Sequence, residues 1–150
     1  MPQAAGPQPR IELPTETERR WHRLRLAVGR INERLERALS PYGLSLSEYT
    51  ALAALQFSDD GGHLRQQVLA DAVPLNQSSL SRLVARLERE GLTERYHCYN
   101  DRRGVYTQIT EKGRRKVHEA RTAYLDTLRE ALADEEADDL LTALFAVGAE

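Results

Sequence analysis

The 150-residue sequence predicts a mainly α fold with a small β wing: a winged helix-turn-helix flanked by N- and C-terminal helices. Three observations lead there. Apolar residues recur at three- and four-residue spacing through most of the chain, the pattern of helices that each bury one stripe. Two short helical stretches are separated only by Pro74-Leu75-Asn76, the spacing of a helix-turn-helix. Directly behind the second, two alternating runs rich in aromatic and β-branched residues, Thr93 to Tyr99 and Val105 to Ile109, flank the turn Asn100-Asp101-Arg102-Arg103-Gly104, which is hairpin-tip chemistry.

The elements follow in order. Residues 1–14, rich in Pro, Gln and Ala, hold too little apolar surface to offset ordering and read as a mobile tail. A single domain is expected from 15 to 150. From about Thr15 a long helix places Trp21, Leu24, Val28, Ile31, Leu35 and Ala38 on a narrow seam, as in a helix that packs on another helix, from the same chain or a second subunit. Ser40-Pro41-Tyr42-Gly43 ends it. Ser45 or Ser47 caps a second helix to about Gln56, with Tyr49, Leu52, Ala53 and Leu55 inward. Asp59-Asp60-Gly61-Gly62 turns the chain. Arg65 to Val73 then forms a short helix with Val68, Leu69 and Ala72 inward.

The next helix is the one the others serve. Asn76 is a good N-cap and Gly91 a good stop, giving about four turns. Leu80, Leu83, Val84 and Leu87 make its apolar stripe, while Ser78, Ser81, Arg82, Arg86 and Arg89 face outward. Small hydroxyls near the start and guanidinium groups further on suit entry into a major groove. After the hairpin, Thr110 caps a helix that runs to about Leu132 through Val117, Ala120, Tyr124 and Leu128. Asp134-Glu135-Glu136 is expected to open a last helix burying Leu140, Leu141, Leu144 and Phe145. The winged portion thus spans about 47–110, between flanking helices at about 15–40 and 111–147.

Composition narrows the function. The formal charge is −2, but residues 64–118 hold 11 Lys/Arg against 6 Asp/Glu, whereas residues 119–150 hold 2 against 9. A basic middle beside an acidic end points to a polyanion bound at the middle. The single cysteine, Cys98, rules out a disulfide framework and fits a reducing, cytoplasmic setting. It also has no second cysteine to resolve it as a redox sensor. No stretch resembles a membrane span or a signal peptide. His22, His63, His97 and His118 lack metal-ligand spacing, so no metal or cofactor is expected. There is no phosphate loop or nucleophile elbow, and Ser78, Ser79 and Ser81 have no basic partner, so an enzyme is not expected.

This order of elements resembles the MarR (multiple-antibiotic-resistance regulator) family over about Glu16 to Val147. The marks are Leu69-Ala70, Leu87-Glu88-Arg89-Glu90-Gly91-Leu92, Asp101-Arg102-Arg103 and Ile109-Thr110-Glu111-Lys112-Gly113. The resemblance implies a homodimer, its dimerisation domain formed by the N- and C-terminal helices at about 15–40 and 111–147, on a pseudo-palindromic, inverted-repeat double-stranded DNA operator, usually repressing nearby genes and released by a small aromatic or anionic ligand. It makes Gln77, Ser78, Ser81 and Arg82 the candidates for base contacts, with Asn76 beside them at the helix start. Ser79 and Arg86 are the candidates for phosphate. A wing-tip arginine is expected in the minor groove, Arg103 first and Arg102 second, with Asp101 holding the turn or its arginine. The family's cavity between the first two helices and the long helix after the wing would draw on Trp21, Arg25 and Tyr49. Two other readings remain: a winged-helix regulator that needs no ligand, and a dimeric protein-interaction scaffold that has lost DNA binding.

Overall fold

The computed structural model describes residues 6, 9–97 and 104–136. Cys98, the wing-tip residues Asn100, Asp101, Arg102 and Arg103, and the expected terminal helix with Leu140, Leu141, Leu144 and Phe145 lie outside the described residues.

Helix α1 (Glu16–Leu39) begins at a capping box, in which Thr15 and Glu18 satisfy each other's backbone N–H groups. Its seam differs from the expected one. Ala27, Ile31, Leu35 and Leu39 are buried, but Trp21 is 60% exposed and Val28 is also exposed. Packing inside its own chain is therefore not what Trp21 does. The second half of the helix meets α5 (Glu111–Glu136), where Arg30 binds Glu135 through two contacts of 2.8 Å and Arg34 reaches Asp134 at 2.6 Å. These acids sit inside α5. The expected helix start at Asp134-Glu135-Glu136 is thus corrected: α5 continues through them, because two facing arginines take up the charge that reads in sequence as a helix opening.

After a 3-10 turn at Ser40–Tyr42, closed by Gly43 at φ +71°, helix α2 (Leu46–Gln56) starts at Ser45. Its hydroxyl accepts from the Glu48 N–H, and the Glu48 carboxylate accepts from the Ser45 N–H. Ser45, rather than Ser47, is the cap. Tyr49, Ala51, Leu52 and Leu55 are buried on α2, whereas Ala53 is only partly so. The chain turns at Gly61 and Gly62, both with positive φ, and forms a short strand that the sequence reading missed, β1 (His63–Arg65).

Helix α3 (Gln66–Ala72) buries Leu69 but leaves Val68 50% exposed and Ala72 exposed. Val68 and Leu69 are consecutive and so lie about 100° apart around the helix, and Leu69 is the one that turns into the core. Helix α4 (Gln77–Arg89) buries Leu80, Val84 and Leu87. Gly91 follows at φ +73°, a left-handed conformation that glycine adopts without strain. Strands β2 (Thr93–His97) and β3 (Val105–Ile109) pair antiparallel, and β1 adds to the other side of β3, giving the order β1-β3-β2. The main core joins α2, α3, α4, the sheet root and α5 around Tyr49, Leu52, Leu69, Leu87, Ile109 and Val117. Among the described residues no helix is long and apolar enough to cross a membrane.

Candidate nucleic-acid interface

Helix α4 is presented rather than enclosed. Its buried stripe fixes which side faces the core, and Asn76, Gln77, Ser78, Ser81, Arg82, Arg86 and Arg89 are all exposed on the remainder. At its start the Asn76 Oδ1 accepts from the Ser79 N–H at 2.8 Å and from the Ser78 Oγ at 3.0 Å. The cap thus takes one of the free N–H groups of the first turn and leaves those of Gln77 and Ser78 at the exposed end, where an anion is favoured. Ser79, expected at a phosphate, is half-buried, its N–H is already taken, and its Oγ accepts from Arg82 at 3.4 Å. Arg82 is therefore folded back along its own helix and has reach in hand.

Two further contacts steady the helix. Gln66, at the start of α3, donates its Nε2 to the Ser81 Oγ at 3.2 Å, so the two helices of the motif share a polar contact on their outer side. Arg86 bridges Glu90 at 3.4 Å and lies 3.9 Å from the Glu48 Oε1. Glu48 is only 1% exposed, and its Oε2 has no hydrogen-bond partner. A guanidinium close to a buried carboxylate lowers the cost of burying that charge. Arg86 consequently has a structural task that its outward position in the sequence did not reveal.

The wing is braced on both sides. Arg95 of β2 donates to Glu88 of α4 at 3.0 Å, and Arg65 of β1 donates to the Tyr106 hydroxyl at 3.0 Å. The first turns of α5 tie the parts together. Thr110 donates its hydroxyl to the Gly91 carbonyl at 2.6 Å, and Lys112 donates to the Glu90 carbonyl at 2.8 Å, so the end of α4 is held from α5. Arg114 spans the Gln56 side chain and the Gly61 carbonyl at 3.0 and 3.1 Å, and Lys116 donates to the Tyr42 carbonyl at 2.9 Å. The one-residue spacing of Lys112, Arg114 and Lys116 in sequence suggests a solvated basic run. Each is in fact committed to a carbonyl or amide oxygen of a different element.

A cleft of about 430 Å³ opens between α1, α2 and α5. Leu35, Leu46, Pro74, Tyr124 and Leu128 supply its apolar lining. Asn32, Glu36, Ser47 and Thr50 supply polar groups. Trp21, Arg25 and Tyr49 are not among its lining residues. Trp21 and Arg25 are exposed on the first half of α1, whereas Tyr49 is 2% exposed, with its ring centroid 4.3 Å from that of Tyr124. Burial raises the Tyr49 pKa; the nearby Arg121 lowers it in part, yet the hydroxyl finds no hydrogen-bond partner. Within one chain the three residues do not line this cleft together, and Tyr49 stands behind Tyr124.

A family model described as the MarR family matches residues 42–104, from the end of the 3-10 turn to the residue before β3. The chain is 30% identical to the transcriptional repressor MprA of Escherichia coli K12 over 72% of its own length, and it spans 62% of the length of that relative. Among solved structures it is similar to AbsC, a MarR family transcriptional regulator from Streptomyces coelicolor, with 31% identity, a TM-score of 0.76 and 91% of this chain and 93% of that one covered. It is also similar to Sco3205, a MarR family transcriptional regulator of the same organism solved in complex with DNA: 28% identity, TM-score 0.75, covering 94% of this chain and 91% of that one.

Proposed function

The chain belongs to the MarR family, a family of transcriptional regulators and not of enzymes, and we propose that it is a homodimeric repressor that reads an inverted-repeat operator in double-stranded DNA and is released by a small molecule. The observation that carries this reading is α4, whose apolar stripe is sealed in the core while Gln77, Ser78, Ser81 and Arg82 stand together on its outer face. Base contacts fall to these four, and phosphate contacts to the free N–H groups of the first turn and to Arg86 in addition to its structural role. Arg103, or Arg102 beside it, enters the adjacent minor groove, with Asp101 holding a wing arginine or the turn itself.

The exposed apolar residues of α1, Trp21, Leu26 and Val28, give a second copy a surface to cover, which supports the dimer. A two-fold dimer presents its α4 helices about one duplex turn, roughly 34 Å, apart. The cleft between α1, α2 and α5 is the effector site in this reading, since it touches both the dimerisation helices and, through Pro74, the turn before α4. Such a protein works in the cytoplasm, beside the chromosome. Selection from random duplex with the purified protein, combined with sedimentation, tests the reading. An enriched inverted repeat with half-sites one turn apart, bound by a two-chain species, is expected. Absence of any enriched sequence, or a monomer at micromolar concentration, would overturn it.

A further inference from the structure

The charge of the cleft determines what it can hold. Among the described residues nine line it, and none of these is Lys, Arg or His; the one ionisable carboxyl among them is Glu36. Cations near it in sequence are engaged elsewhere: Arg34 with Glu130 and Asp134, Arg37 with Glu33, Arg129 with Asp126, while Arg121, near Tyr49 and not among the lining residues, lies over the Phe57 ring at 4.5 Å. Glu36 is fixed in place, because its Oε1 accepts from the Leu46 N–H at 3.0 Å, at the first turn of α2. The aromatic ring of Tyr124 and the side chains of Leu35 and Leu128 complete an apolar wall.

An organic anion placed here would meet a carboxylate and find no counter-charge among these side chains. A protonated amine would instead meet the carboxylate of Glu36, and a positive charge is also stabilised over an aromatic face such as that of Tyr124. We infer that this cleft takes a small amphiphilic cation, a protonated amine on an aromatic or aliphatic body, rather than the anionic ligand that family resemblance suggests. The inference rests on the reading of the cleft as an effector site, and it replaces only the ligand's charge.

Calorimetric titration of the full chain with three indoles of matched shape tests it: tryptamine (cationic), indole-3-ethanol (neutral) and indole-3-acetate (anionic). Tryptamine is expected to bind about tenfold more tightly than indole-3-acetate, the swing that reversing the sign of one partly solvated charge produces, with the neutral alcohol between them. Glu36→Gln keeps an oxygen for the Leu46 N–H, so α2 stays capped, and is expected to erase the preference while the alcohol binds as before. Equal or tighter binding of the acetate, an unchanged preference in Glu36→Gln, or no binding of any of the three overturns the inference. Fluorescence anisotropy of labelled operator, read separately, distinguishes the two readings. Tryptamine that binds through Glu36 without releasing DNA leaves the charge preference standing and removes the effector role. An anion that binds in the cleft and releases DNA does the reverse.

Discussion

Replacing Gly113 with alanine sets two effects against each other, and the structure decides the sign. Gly113 is in the first turn of α5, where exchanging glycine for alanine ordinarily stabilises a helix by about 0.8–1 kcal/mol. Here a Cβ would lie 2.3 Å from the Leu92 carbonyl oxygen and 2.7 Å from Ile109 Cγ1. Leu92 cannot simply retreat, since that oxygen accepts from the Thr110 N–H at 3.0 Å and joins the root of β2 to the start of α5. Relieving the overlap means moving α5 by about an ångström, given ordinary carbon contacts of about 3.5–4.0 Å. Overpacking of a well-filled site costs about 1–3 kcal/mol. With the backbone itself as the obstacle, we expect the upper end of that range, leaving a net loss of about 2 kcal/mol. In urea denaturation followed by far-ultraviolet circular dichroism at fixed protomer concentration, this corresponds to a fall of about 4–8 °C in a parallel thermal scan. A Gly113→Ala protein as stable as the parent, or more so, would refute the close approach and the reasoning built on it.

Asn76→Ala is expected to cost about 1 kcal/mol through the lost cap, whereas Asn76→Asp keeps the acceptor for Ser79, preserving stability but weakening DNA binding by placing a negative charge beside phosphate; denaturation and anisotropy titrations separate the two. Arg82→Ala and Arg103→Ala are each expected to lose about 1–3 kcal/mol on operator DNA and much less on random duplex if they contact base edges. Equal loss on both duplexes with a shallower salt slope would reassign that arginine to phosphate. Glu135, held below its ordinary value of about 4.5 chiefly by its hydrogen bonds to Arg30, gains stability on folding that is fully present above that value and lost as pH falls through its depressed one. Arg30→Ala should therefore flatten the acid limb of the stability–pH curve below about pH 4.5 while leaving its shape near neutrality unchanged; an unaltered acid limb would discard the pair as a stabilising contact.

The sequence exposes features that depend on local chemistry. Asn76 and Gly91 bracket α4, the alternating runs before and after the wing tip give β2 and β3, and Thr110 caps α5, because capping and pleating are settled within a few residues. What stayed hidden depends on distant partners. β1 is three residues long, too short for alternation to register, and exists because β3 has a free edge beside His63–Arg65. Asp134 and Glu135 look like a helix start until Arg30 and Arg34 are seen facing them. Trp21 reads as a core residue by periodicity, yet it stands exposed, while the ion pairs between α1 and α5 fall on later turns at Arg30 and Arg34. At the candidate interface, the outward face of α4 was legible from its stripe. Glu48, Gln66 and the structural side of Arg86 were not, since each matters through a residue on another helix. The grouping of Trp21, Arg25 and Tyr49 rested on family placement of a cavity, and the residues around the cleft come from other turns of the same helices.

Lys112, Arg114 and Lys116 fasten one end of α5 to the tail of α4, the turn before β1 and the turn after α1. The reading head is thereby clamped to a single shaft, and a force applied to that shaft tilts the head without rearranging its teeth. In the homodimer proposed above, control exerted through α5 would accordingly act on the stride between the two heads, while the alphabet each head prefers would stay the same. An induced state would keep its taste for a half-site and lose its tolerance for the natural gap, so an operator lengthened or shortened by a base pair could recover what the inducer takes away.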